Sequence, residues 1–86
     1  MTSVFNKLLF EIIDEINNKL YSSEDLIGAE NAIWYKTLIT YLGEFNYPTL
    51  LIVKEELKEL IATNFRHNFI EVIKWLETTR KRVEKY

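Results

Sequence analysis

The sequence predicts an all-α fold, a small up-down bundle of four helices, and three observations carry that expectation. Only two glycines and one proline occur among 86 residues, so the residues that most often interrupt helices are nearly absent. Apolar residues recur at spacings of three and four along most of the chain, which is the period of one helix face. No stretch alternates apolar and polar residues long enough to suggest a strand pair. At this length residues 1–86 read as a single helical domain, one that buries only about 60 to 65% of the surface its unfolded form exposes.

Thr2 or Ser3 can cap a first helix running to about Tyr21, since a short polar side chain there accepts from an otherwise unpaired amide. Its inward stripe is Phe5, Leu8, Leu9, Ile12, Ile13, Ile16 and Leu20. Ser22-Ser23-Glu24-Asp25 has capping-box character and opens a second helix to about Leu42. Gly43 is placed to close that helix in the left-handed conformation, and Pro48 suits the first turn of the next, where its missing N–H would be unpaired anyway. The stretch GEFNYPTLL, residues 43–51, therefore reads as a helix stop, a short loop and a helix start.

A third helix from about Pro48 to Thr63 buries Leu50, Val53, Leu57, Leu60 and Ile61. Asn64 can take a left-handed closing position, and Asn68-Phe69-Ile70-Glu71 reads as another capping box, which leaves Phe65-Arg66-His67 as the connection. The fourth helix, about Asn68 to Glu84, turns Phe69, Val72, Ile73, Leu76 and Val83 inward. The alternative is three helices with a long continuous third, about 57 Å from Pro48 onward, which would call for a dimer to cover it. Short connections otherwise make sequential helices antiparallel.

Composition excludes several function classes. Cysteine is absent, which removes disulfides, thiolate nucleophiles and sulfur-bound zinc, and fits a reducing, cytoplasmic setting. No run approaches the roughly 18 apolar residues of a membrane span, and the N-terminus lacks the features of a leader. A formal net charge of −2 disfavours a sequence-independent grip on nucleic acid, which needs many phosphate contacts. The absence of Gln alongside Cys, with abundant Lys and Glu, follows the hyperthermophile trend, although seven asparagines run against it.

No catalytic, cofactor or metal site is expected. His67 is the only histidine, and Glu71 four residues on does not make a ligand set. Glu11, Asp14 and Glu15 read as a solvated acidic face, and no Glu-x-x-His pairs, nucleophile-histidine arrangement or glycine-rich phosphate loop occurs. Arg80, Lys81, Arg82 and Lys85 oppose the dipole of the last helix, and Glu77 can pair with Lys81.

What remains is apolar surface. Phe10 and Tyr21 fall beside the inward stripe of the first helix, Ile52 lies between Glu56 and Glu59, and Trp75 and Tyr86 flank Arg82 on the fourth. The second helix carries two adjacent rows, Ile27, Trp34, Leu38 and Tyr41 beside Ala32, Tyr35, Ile39 and Leu42. Together they cover more of the circumference than the stripe of an ordinary surface helix. Phe45 and Tyr47 extend these rows past its end. Aromatics are enriched at interface cores, so the residues expected to meet a protein partner are Phe10, Tyr21, Trp34, Tyr35, Tyr41, Phe45, Tyr47, Ile52, Trp75, Arg82 and Tyr86. The same residues could serve a homodimer.

In size and character, and in the aromatic, charge-mixed segment WYKTLITYLGEFNYPTLLIVKEELKEL, residues 34–60, the chain resembles the small all-helical accessory subunits of crenarchaeal family-B DNA polymerase holoenzymes. That resemblance implies a non-catalytic archaeal subunit, acting in DNA replication, that docks on the polymerase catalytic subunit. It carries no residue roles over. The chain is also similar in length and topology to bacteriocin-immunity bundles, without their longer C-terminal segment; a third reading is a virus- or plasmid-borne helical protein that forms a homodimer through the second helix.

Overall fold

The computed structural model describes residues 3–20, 29–63 and 68–85, with side chains of the middle stretch from Ile33 onward. Helix α1 spans Val4–Glu15 and continues as a π-helical segment, Ile16–Leu20; α2 spans Ala29–Leu42, α3 Tyr47–Ala62 and α4 Phe69–Glu84. Four helices and no strand among the described residues give an all-α bundle, and α3 and α4 are separate helices that pack on one another.

The helix starts have local causes. Ser3 Oγ accepts from Asn6 N at 3.0 Å, Asn46 Oδ1 from Thr49 N at 2.9 Å, and Asn68 Oδ1 from Glu71 N at 2.9 Å. Each satisfies one amide that the first turn leaves unpaired. The cap of α3 is thus Asn46, one step earlier than the sequence suggests, with Pro48 within the first turn. The expected caps at Thr2, Ser22 and Asn64, and the Phe65-Arg66-His67 connection, lie outside the described residues.

Gly43 requires a correction. Its φ lies outside the left-handed region, so it does not close α2 by that conformation; a Cβ there would stand 2.8 Å from the Ile39 carbonyl oxygen. Glycine is needed for space, because Gly43 N donates to that same oxygen at 3.0 Å. Left-handed closure occurs instead at Lys85, φ 52°, after α4.

The core joins Leu8, Leu9, Ile12, Ile13, Ile16 and Leu20 of the first helix to Leu50, Val53 and Leu57 of α3 and to Val72 and Leu76 of α4. Close backbone packing pairs α1 with α2, α1 with α3, and α3 with α4, so α1 and α3 form the centre and α2 and α4 flank it. Helix α2 contributes Trp34, Leu38 and Leu42 at successive turns, and Phe45 follows from the corner. Tyr35 and Ile39 pack against the core from one side of that stripe and Tyr41 from the other. The described members of the two apolar rows of α2 are therefore mostly taken up by the bundle.

Polar contacts fix the helices in register. Lys54 Nζ donates to Glu11 Oε2 at 2.8 Å between α3 and α1. Glu56 Oε2 accepts from Trp75 Nε1 at 3.0 Å and Thr79 Oγ1 at 2.9 Å, and its other oxygen accepts from Arg82. At the corner, Glu84 of α4 accepts from Asn46 N and Thr49 Oγ1, while Arg80 pairs with Glu84 and Glu44 and lies 5.1 Å from the Phe45 ring centroid. The GEFN turn is thereby tied to the last turns of α4.

Candidate protein-binding surface

Helices α2 and α4 are not among the closely packed pairs, and a groove of about 540 Å³ lies along them, lined by Tyr41, Ile73, Glu77, Arg80 and Lys81. A second depression of about 460 Å³ shares Tyr41 and continues over the outer face of α2 past Ile33, Lys36, Thr37, Thr40 and Glu44. Ile33 is 67% exposed and Ile70 61%. On α4, Ile70 stands three residues from Ile73 and seven from Glu77, on the same side of the helix. The groove therefore has apolar side chains from Tyr41 on one helix and Ile73 on the other, with Ile33 beside it on the outer face of α2.

Its residues are held from behind. Tyr41 meets the Phe45 ring edge to face, with centroids 5.1 Å apart, and Phe45 is itself covered by the Arg80 guanidinium. Trp34 makes an edge-on contact with Phe69 at the other end, joining α2 to α4 there. Burial pushes the Tyr41 phenol above its ordinary pKa, and the nearby Glu77 carboxylate adds to that, so the ring presents a neutral hydroxyl at physiological pH. Lys81 pairs with Glu77 at 3.0 Å along the lip.

The residues expected to meet a partner do not converge. Trp34 and Phe45 are each 2% exposed, and their expected place on the binding surface is corrected: Trp34 falls on the Leu38–Leu42 stripe, and the tight corner turns Phe45 inward under Arg80. Tyr41 alone lies in the α2–α4 groove. Tyr35 packs half-buried against the core. Tyr47 and Ile52 are exposed on the first turns of α3 beside Leu51, and with Val4, Lys7 and Lys58 Tyr47 lines a separate depression between α1 and α3. Trp75 and Arg82 line another, between α3 and α4, but both are engaged by Glu56. Phe10 is exposed on α1; Tyr21 and Tyr86 lie outside the described residues.

Sequence reasoning missed Ile73, Glu77, Arg80 and Lys81 as lining one groove with Tyr41, and Ile33 as lining the adjoining depression. Ile33 had a readable signal, since Lys36, Thr37 and Thr40 at three, four and seven residues on make its row polar, the same test that isolates Ile52. The inward expectation for Phe69 is also corrected: it is 38% exposed, with its ring edge-on to Trp34 of α2. Arg80 had no such signal, since its contacts with Glu44 and Phe45 come from a corner more than thirty residues earlier.

Among the described residues no group of three or more His, Asp and Glu is placed to hold a metal ion. No described helix is long and apolar enough to cross a membrane. No family model, curated protein or solved structure matches this chain.

Proposed function

We propose that the chain is a non-catalytic protein-interaction module of the cytoplasm, and that its partner is the catalytic subunit of a replicative DNA polymerase, which it supports as an accessory subunit. The observation that carries the interaction reading is the α2–α4 groove. A helix pair left apart, with Tyr41 and Ile73 lining the gap between them, is an unfinished packing layer of the kind an added helix completes. The arrangement of polar groups agrees with it. Glu11, Lys54, Glu56, Thr79 and Glu84 are each paired within the bundle, which describes a scaffold rather than reacting groups. The polymerase partner rests on the resemblance of the chain's overall character and of residues 34–60 to the archaeal accessory subunits, and the thermophilic source on the absence of Cys and Gln with abundant Lys and Glu.

The test is capture of the tagged full chain from its native source, followed by titration with the purified polymerase catalytic subunit. The reading expects recovery of that subunit and saturable one-to-one binding. Self-association alone, with no binding of the subunit at micromolar concentration, would transfer the proposal to a homodimer.

A further inference from the structure

We draw no further inference here: the strongest candidate, the groove between α2 and α4 lined by Tyr41, Ile73, Glu77, Arg80 and Lys81, has its charges paired within the bundle, and nothing in the structure shows what covers it.

Discussion

Ile33 and Trp34 are adjacent in the chain, yet the first is 67% exposed and the second 2%, so substituting them should separate binding from folding. Trp34→Ala removes a buried aromatic from between Leu38 and Phe69, and urea denaturation should show a loss of about 3–5 kcal/mol. Ile33→Ser should change stability by no more than about 0.5 kcal/mol, while weakening binding of a partner that covers the outer face of α2. Glu56 supplies a prediction in pH. Burial of its carboxyl raises the pKa, but hydrogen bonds from Trp75, Arg82 and Thr79 outweigh that and set it below the ordinary value of 4.5. A carboxyl with a depressed folded pKa contributes stability that is fully present above its unfolded pKa and is lost as pH falls through the folded one. Stability measured by urea titration should therefore decline below about pH 4.5, and Glu56→Gln should be less stable at pH 7 with a shallower decline on the acid side.

At the scale of elements, the corner between α2 and α3 is where local sequence and tertiary contact meet. Gly43 gives the chain room to pass the Ile39 carbonyl, Asn46 caps α3, and Arg80 with Glu84 holds the turn from α4. Gly43→Ala should cost about 1–3 kcal/mol, since a backbone carbonyl cannot move aside cheaply. Glu84→Ala removes the acceptor of the Asn46 amide and one of the two acceptors within reach of the buried Thr49 hydroxyl, which keeps Asn46 Oδ1 at 2.6 Å, and a loss of about 1–2 kcal/mol should appear in thermal or urea unfolding. This corner also shows how far the sequence could be read. The helix stop, the Asn68 cap and the stripes Leu8 to Leu20 and Leu50 to Leu57 were legible because they depend on residues within one or two turns of each other. Phe45 and Trp34 were misplaced on a binding surface because their burial is decided by Arg80 and by Phe69, which lie 35 residues away in each case. Helix α2 was ambiguous for a related reason: its apolar residues exceed a single stripe, and only the positions of α1 and α4 decide which of them is covered.

At the scale of the molecule, α1 and α3 form a well-packed centre, while α2 and α4 sit on either side of it without closing on each other along their length. That difference makes the groove, rather than the Tyr47–Leu51–Ile52 surface or the Trp75–Arg82 depression, the place where an added helix would complete a layer. The legible part of this was the existence of unspent apolar surface; its location depended on helix positions that no local pattern encodes. The most direct test is a titration of the isotopically labelled full chain with the polymerase catalytic subunit, followed by amide chemical shifts. The account predicts one-to-one binding with the largest changes at Ile33, Tyr41, Ile73 and Lys81. Changes centred on Tyr47, Leu51 and Ile52, or none at saturating concentration, would contradict it.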